Sequence, residues 1–161
     1  SGADIKGTSI LAAIRKAVTP GTRVTWSKDG KGAAGHDAAI VVVGELPYAE
    51  YHGDKDNLAL SVVDVDTIDR CVRAGVPTVV VIISGRPMII TDHIDRWDAV
   101  LAAWLPGSEG EGVTDIIFGD YWPTGKLSYT WPRSMAQVPV NYGDDDHDPL
   151  FPFGYGLSYG R

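Results

Sequence analysis

Two continuous apolar runs, AAIVVV at residues 38–43 and TVVVII at residues 78–83, decide the fold of this chain. Both are rich in β-branched residues, and neither alternates between apolar and polar residues as a strand with one wet face does. They are therefore typical of parallel strands that are buried on both faces. Residues 65–73 between them have helical periodicity and end at the stop signal GVP. The order strand, helix, strand predicts a parallel unit with a right-handed crossover.

Further helices and strands are predicted on both sides of this unit. Upstream, apolar residues at helical spacing follow Thr8 or Ser9, either of which can cap a helix, and the segment closes at Pro20. Residues 23–26 then favour a short strand. Downstream, the apolar residues 99–103 predict a fourth strand. Strands that alternate with helices in this way are typical of a doubly wound α/β sheet.

The last third of the chain changes in character. A short helix is predicted over residues 110–118, and the alternating KLSYTW at 126–131 predicts an antiparallel edge strand. Residues 134–161 are rich in Pro, Gly, Asp and aromatic residues, which predicts an irregular tail. We therefore predict one α/β domain over residues 1–161, a three-layer sandwich around a mostly parallel sheet with an antiparallel edge strand. Its core is expected within about residues 1–133.

The composition excludes several classes of function. The chain has 161 residues, of which 44% are hydrophobic and 22% charged, as in soluble globular domains. Its net charge of −7 and the lack of a basic stripe argue against nucleic acid as a partner. No apolar run is long enough to cross a membrane. Phosphate-loop and dinucleotide motifs are missing, so we expect no cofactor.

Three residue types invite a bland interpretation. Cys71 lies in an apolar helical context and is expected to be a small buried side chain. The acidic run at residues 144–148 lacks the spacing of a calcium loop and is interpreted as a solvated turn, so we expect no metal site. The five tryptophans are expected to pack in the core; they are Trp26, Trp97, Trp104, Trp122 and Trp131.

The loops that follow the predicted strands are where chemistry is expected, because ligands bind beyond the carboxyl ends of strands in open parallel sheets. In the loop after the fourth strand, Ser108 and Glu111 have the S-x-x-E spacing of a capping box, which explains Glu111 structurally. Glu109 has no such explanation, and its glycine neighbours leave its carboxyl open. On spacing alone, a glutamate in the first turn of a helix is more often a favourable partner of the helix dipole.

Five segments together resemble the second domain of the glycoside hydrolase family 3 β-glucan exohydrolases and β-glucosidases. The elements WLPGSEG, FGD, TGKL and FGYGLSYG carry the resemblance by their order and spacing. The segments run through nearly the whole chain and read GTSILAAIRKAV, VVVGELPYAEYHGDKDNLAL, VVVIISGRP, AAWLPGSEGEGVTDIIFGDYWPTGKLSYTWPRS and PLFPFGYGLSYG.

The resemblance implies a six-stranded α/β sandwich domain that packs on a TIM-like barrel, with a glucose pocket where the two meet. In that family the barrel supplies the nucleophilic aspartate. In the exohydrolase branch, the glutamate of GSEG is the acid/base, and by position that residue is Glu109. The implied activity is that of a retaining exo-acting β-glucosidase or β-glucan glucohydrolase, whose substrate is a β-glucoside or a β-glucan oligosaccharide. Secretion or periplasmic export is implied in the same way.

A retaining glycosidase needs two carboxyl groups about 5 Å apart, one to attack and one to protonate the leaving oxygen. The barrel that would carry the first is absent from this chain, so we expect the isolated chain to be inactive. Other branches of the family place the acid/base in the loop after the second strand, which makes Glu50 the runner-up. We also expect the surface that would face a barrel to be apolar and to promote self-association.

The loop after the second strand is expected to contribute to substrate binding. Tyr48 and Tyr51 offer rings for sugar stacking, and Glu50 offers polar contacts to hydroxyls; a solvated loop is the alternative. Arg86 follows the next strand and is expected either to pair with a carboxylate such as Glu45 or Glu109 or to have a simple surface role.

Two other functions are compatible with the same fold. The first is a separated, non-catalytic sugar-binding or interaction module, which would show no turnover even with a barrel added. The second, more distant interpretation is a flavodoxin-like receiver or cofactor carrier, and it predicts a bound nucleotide or colour.

Overall fold

The computed structural model of the protein describes residues 6–144 and 148–160, and of Glu50 the backbone alone. These residues form two compact units. The larger unit comprises residues 27–104 and 126–156, and the smaller unit comprises residues up to 26, residues 105–125 and residues from 157 onward. Two short 3-10 helices, Glu50–Gly53 and Met135–Gln137, occur beside the main elements. In chain order, the α-helices and strands are α1 (Ile10–Ala17), β1 (Ala39–Gly44), α2 (Val62–Arg73), β2 (Thr78–Ile83), α3 (Thr91–Ile94), β3 (Ala99–Trp104) and α4 (Gly110–Phe118).

A parallel sheet in the order β1-β2-β3 forms the centre of the larger unit. Its register places Val41 beside Val80 and Val43 beside Ile82, so the apolar runs that predicted the strands lie side by side. Val80 and Ile82 are buried, as expected for a central strand covered on both faces. The α/β class and the parallel sheet are therefore confirmed. Among the described residues the sheet has three strands, not the six that the family resemblance implied.

Helix α2 covers the sheet and supplies much of the core. It begins three residues earlier than its periodicity predicted, because Ser61 caps it by accepting a hydrogen bond from the N–H of Asp64 (3.1 Å). Its apolar face buries Ile68 and Cys71 in the same hydrophobic cluster as Val41 and the residues of β2. Cys71 is thus the buried small side chain that was predicted, and burial raises the pKa of its thiol.

The segment at residues 126–131 was predicted as an antiparallel edge strand, and that prediction is wrong. It pairs instead with the tail through an isolated antiparallel bridge between Trp131 and Phe151. Leu127 makes a second contact with the tail, since its N–H donates to the carbonyl of Tyr155 and its carbonyl accepts from the N–H of Gly154 (both 2.8 Å). The buried Trp131 ring anchors this contact, since its Nε1 donates to the carbonyl of Met88 (2.8 Å).

The smaller unit is built on α1, which packs against α4. Ser9 caps α1 by accepting from the N–H of Ala12 (3.2 Å), so one of the two predicted caps is confirmed. Helix α4 has the predicted bounds, and its C-cap residue is Gly119, whose φ of 83° suits glycine. The hydroxyl of Tyr159 donates to the carbonyl of Ile116 near that end.

Two other predictions fail in this unit. Residues 23–26 form no strand in the described structure, and a pattern of four residues is shorter than the usual strand and therefore a weak signal. Trp26 and Trp122 are 66% and 47% exposed, so neither packs in a core, whereas Trp97 and Trp131 are buried and Trp104 packs against the core of the larger unit. Among the described helices, none is both long and apolar enough to span a membrane.

Core packing by α2 gives a direct stability prediction. Ile68 has no exposed surface, so Ile68→Ala should lower the free energy of unfolding of the chain by about 3 kcal/mol through lost burial and a residual cavity. Val63, on the same helix, is 70% exposed, and Val63→Ala should change it by less than about 0.5 kcal/mol. Urea titrations followed by circular dichroism measure both, and equal effects would contradict the assigned face of α2.

Candidate active site

Glu109 lies in the smaller unit at the start of α4. It is the N-cap residue of that helix, and its N–H donates to the carbonyl of Pro106 (3.0 Å) in the turn before it. Its side chain is exposed. The carboxyl therefore stands at a helix N-terminus and is open to solvent, as the sequence predicted.

The backbone around Glu109 is held by the segment that leads into α1. The N–H of Thr8 donates to the carbonyl of Ser108 (2.8 Å), and the N–H of Gly110 donates to the carbonyl of Thr8 (3.0 Å). Together the two bonds form a parallel bridge between Thr8 and Glu109. Residues separated by about a hundred positions in sequence thus fix the peptide groups on both sides of Glu109, and no sequence motif signals that contact.

The predicted capping box is wrong. Glu109, rather than Ser108, is the N-cap residue, because the turn continues one residue further than the S-x-x-E spacing assumed. The Ser108 hydroxyl donates to Oε1 of Glu109 (3.1 Å). The hydroxyl of Thr8, followed by the backbone N–H of Glu111 itself, lowers the pKa of the Glu111 carboxyl, and Lys16 Nζ lies 3.6 Å away.

A second carboxylate, Glu45, lies in the larger unit directly after β1. Its N–H donates to the carbonyl of Ile83, so its backbone still follows the edge of β2 (2.9 Å). Its side chain is 3% exposed and pairs with Arg86, whose Nη2 lies 2.8 Å from Oε1 and whose Nε lies 3.2 Å from Oε2. Lys55 Nζ adds a second cation at 3.1 Å. The sequence left open whether Arg86 pairs with Glu45 or Glu109 or has a simple surface role, and the structure shows the pairing with Glu45.

This pairing fixes the charge of Glu45. Burial alone would raise the pKa of the carboxyl, but the hydrogen bonds from Arg86 and Lys55 outweigh it and leave the pKa below its ordinary value. The hydrogen bond to Glu45 correspondingly raises the pKa of the Arg86 guanidinium. Glu45 is therefore held as an anion, and it is poorly suited to deliver a proton to a ligand.

Arg86 also ties the loop after β1 together. Its Nη2 donates to the carbonyl of Gly53 (2.7 Å) while the same group holds Glu45 at the other end of the loop. Its Cζ lies 4.8 Å from the centroid of the Tyr48 ring. Gly53 leaves room for that ring, since a Cβ there would lie 2.2 Å from Tyr48 Cδ2. The loop thus has a fixed base.

The predicted substrate-binding residues of this loop fall in different places. Tyr48 lies on the fixed base, is partly exposed, and its hydroxyl donates to Glu45 Oε2 (3.4 Å). Tyr51 is exposed in the 3-10 helix, which begins with the backbone of Glu50. The side chain of Glu50 lies outside the described structure. Lys55 was missed by sequence reasoning, because a lysine in a charged loop carries no signal of its partner.

The acidic run falls partly outside the structure. Residues 145–147 of it are outside the described chain, while Asp144 Oδ2 accepts from the N–H of Asn141 (2.8 Å). Within residues 6–144 and 148–160, no three acidic, histidine or cysteine side chains are grouped so as to hold a metal ion.

The two carboxylates differ in what they can do chemically. Glu45 is buried and neutralised by two cations, whereas Glu109 is exposed, and within the described residues it takes part in no ion pair. Only an accessible carboxyl can exchange a proton with a ligand. Of these two carboxyl groups, that of Glu109 is the one suited to acid/base chemistry.

Comparisons with known proteins agree with this fold. The chain is similar to the exo-1,3/1,4-beta-glucanase from a Pseudoalteromonas species, with 40% identity and a TM-score of 0.90 over 98% of this chain and 21% of that chain. The periplasmic beta-glucosidase of Salmonella typhimurium is 34% identical over 76% of this chain and 19% of its own length. A beta-xylosidase of Formosa agariphila is 32% identical over 94% and 25%.

The chain therefore spans between about a fifth and a quarter of the length of these relatives. The family profile described as the glycosyl hydrolase family 3 C-terminal domain matches residues 3–159, which is almost the whole chain. The parallel sheet and the order of helices and strands fit a domain of this kind. The chain belongs to glycosyl hydrolase family 3, and it corresponds to the C-terminal domain of that family.

Proposed function

We propose that this domain supplies the acid/base carboxyl of a retaining, exo-acting β-glucosidase or β-glucan glucohydrolase, and that the carboxyl is Glu109. The observation that carries the proposal is the accessibility of Glu109 on a backbone held on both sides by Thr8. A proton donor must be reachable by the leaving oxygen and must keep a fixed position relative to it. The exposure of Glu109 and the hydrogen bonds that hold its backbone both support this role.

The proposed reaction needs a second carboxyl group from a barrel domain. In a retaining mechanism, a nucleophilic aspartate attacks the anomeric carbon while the acid/base protonates the departing oxygen. The same residue then removes a proton from the water that releases the sugar. Because these 161 residues supply the acid/base half alone, we expect no turnover without the barrel.

The surface of the smaller unit supports a barrel partner. It exposes several large apolar side chains, which a domain otherwise tends to cover. These include Trp26, Leu105, Phe118, Trp122 and Leu157. We expect the barrel to cover such side chains in the two-domain enzyme, and we expect them to promote self-association of the chain when no partner is present.

The loop after β1 is proposed to contribute to the sugar site. The exposed rings of Tyr48 and Tyr51 can stack on the apolar face of a pyranose, and Arg86 contributes by holding the base of their loop. Glu50 is kept as the alternative acid/base.

The names of the relatives favour a terminal β-glucosyl residue as substrate, with a β-xylosyl residue as the competing choice. The name of the Salmonella relative favours a location outside the cytoplasm.

The acid/base role of Glu109 is tested by substitution in the two-domain enzyme. Glu109→Gln should lower kcat/KM for an aryl β-glucoside with a poor leaving group by about 10²–10⁴-fold, because proton donation is lost. Glu111→Gln is the matched control, since Glu111 lies two residues on and already has partners in Thr8 and Lys16. It should retain most of the activity.

Other results of the same assay would contradict the proposal. If Glu109→Gln is as active as the control while Glu50→Gln is inactive, the acid/base lies in the loop after β1. If the 161-residue chain hydrolyses the substrate without the barrel, the proposed division between two domains is wrong. If the wild-type chain stays inactive with the barrel present, the chain is a non-catalytic module.

Arg86 is proposed to support the loop after β1 through its ion pair with Glu45, and this predicts that the free energy of unfolding depends on pH. The pKa of Glu45 is lowered from an ordinary value of 4.5, so its contribution is complete above that value and disappears as the pH falls through the lower, folded-state value. Glu45→Gln should lower the free energy of unfolding at about pH 7 by about 3 kcal/mol, because Arg86 loses its buried partner. The deficit relative to wild type should shrink at about pH 3.

A control separates this effect from general acid sensitivity. Asp148 pairs with Arg133 at 3.0 Å, but its side chain is 85% exposed, so Asp148→Asn should cost less than about 1 kcal/mol at neutral pH. Urea titrations of the three proteins at both pH values give the comparison. A deficit for Glu45→Gln that is the same at neutral and acidic pH would contradict the ion-pair explanation.

A further inference from the structure

The residue after Glu109 has no space for a side chain. A Cβ built on Gly110 would lie 2.5 Å from the carbonyl oxygen of Thr8, 2.6 Å from the carbonyl carbon of Ser9 and 2.8 Å from the nitrogen of Ile10. All three are backbone atoms at the start of α1, so they cannot move aside as the end of a flexible side chain can. Any side chain at position 110 must therefore push the starts of α1 and α4 apart.

Gly7, in the segment that faces this loop across the bridge, also has no space for a side chain. A Cβ on Gly7 would lie 2.2 Å from Cβ of Ser108 and 2.9 Å from its Cα. Gly7 and Gly110 thus lie on either side of the bridge between Thr8 and Glu109, and each allows the two backbones to approach within hydrogen-bond distance. Backbone conformation does not explain either glycine, because neither has a positive φ.

The neighbouring glycines of the same loop behave differently. Gly107 adopts a φ of 59°, which explains its identity by conformation, and a Cβ there would meet nothing within 4 Å. Gly112 lies in α4 without a positive φ, and a Cβ there would also meet nothing within 4 Å. Close approach of two backbones therefore distinguishes Gly110 from Gly112, although the two occupy the same helix.

The side chain of Glu109 is oriented from the same contact. Ser108, whose backbone carbonyl accepts from Thr8, donates its hydroxyl to Oε1 of Glu109 (3.1 Å). Within the described residues this is the hydrogen bond that the carboxyl makes. It holds Oε1 and leaves Oε2 without a hydrogen-bond partner in that part of the chain.

We propose that Gly7, Ser108 and Gly110 are positioning residues for the proton donor: the two glycines set the place of the Glu109 backbone, and the serine sets the direction of its carboxyl. This inference rests on the proposed function of Glu109. It adds a specific requirement, namely that the segment before α1 must touch the start of α4 for the proton to reach the leaving oxygen. A displacement of about 1 Å in such a group can cost on the order of 10²-fold in rate.

The test compares Gly110→Ala with Gly112→Ala in the two-domain enzyme. Two substrates are used, methyl β-glucoside, whose departing oxygen needs a proton, and 2,4-dinitrophenyl β-glucoside, whose leaving group departs without one. Gly110→Ala should lower kcat/KM for the methyl glucoside on the order of 10²-fold, and for the dinitrophenyl glucoside by less than about threefold. Gly112→Ala should leave both values close to wild type.

The ratio between the two substrates distinguishes positioning from damage to the fold. A merely structural role would reduce the amount of active enzyme and lower both values equally, and that result would overturn the inference. Equal behaviour of Gly110→Ala and Gly112→Ala would overturn it as well. If Glu109→Gln itself keeps full activity on the methyl glucoside, the proposed function fails instead, so the two failures can be told apart.

Ser108→Ala serves as the second variant, because it removes one hydroxyl and leaves the backbone contact intact. It keeps the inference testable if Gly110→Ala does not fold. The inference predicts a loss of about tenfold for the methyl glucoside and little change for the dinitrophenyl glucoside. An unchanged ratio between the two substrates in Ser108→Ala would contradict the inference.

Discussion

Two backbone hydrogen bonds join Thr8 to the residues on either side of Glu109, and the candidate site depends on them: the N–H of Thr8 donates to Ser108, and its carbonyl accepts from Gly110. They join the start of α1 to the start of α4. Both are made by main-chain atoms, so a side-chain substitution at Thr8 would not remove either donor or acceptor. Exposed carboxyl groups on protein surfaces are common and usually mobile. Glu109 combines an exposed side chain with a backbone that is hydrogen-bonded on both sides, and proton transfer to a substrate requires a group that is accessible and held in place.

The contrast with Glu45 shows how environment divides the roles of two carboxyl groups. Burial would favour a protonated Glu45, yet Arg86 and Lys55 hold the carboxylate as an anion and use it to close the base of a loop. Removing one partner of such an ion pair strongly destabilises the folded protein, so the role of the pair is structural. Glu109 has no such cationic partner among the described residues, so its carboxyl is free to contact a ligand.

Sequence periodicity predicted much of the architecture because burial on two faces leaves a clear pattern. The strand over residues 78–83 and the helix over 110–118 have the predicted bounds. The failures share one cause: local patterns do not contain tertiary partners. The alternation at residues 126–131 suggested a sheet edge, but the segment pairs with the tail instead, through Trp131 and Phe151. The S-x-x-E spacing suggested a cap at Ser108, but the turn before α4 moved the cap to Glu109. The sequence showed Glu109 as an unexplained glutamate, whereas its contact with Thr8 and the packing reason for Gly110 could be found only in three dimensions.

The most direct measurement of the central claim is a chemical rescue of Glu109→Ala in the two-domain enzyme. With 2,4-dinitrophenyl β-glucoside as substrate, the glucosyl group is transferred to the nucleophilic aspartate without help from an acid, and azide can then enter the space left by the missing carboxyl. The account predicts that added azide accelerates turnover and that the product is the glucosyl azide of β configuration. Absence of acceleration, or an azide of α configuration, would show that the carboxyl of Glu109 is not the acid/base group.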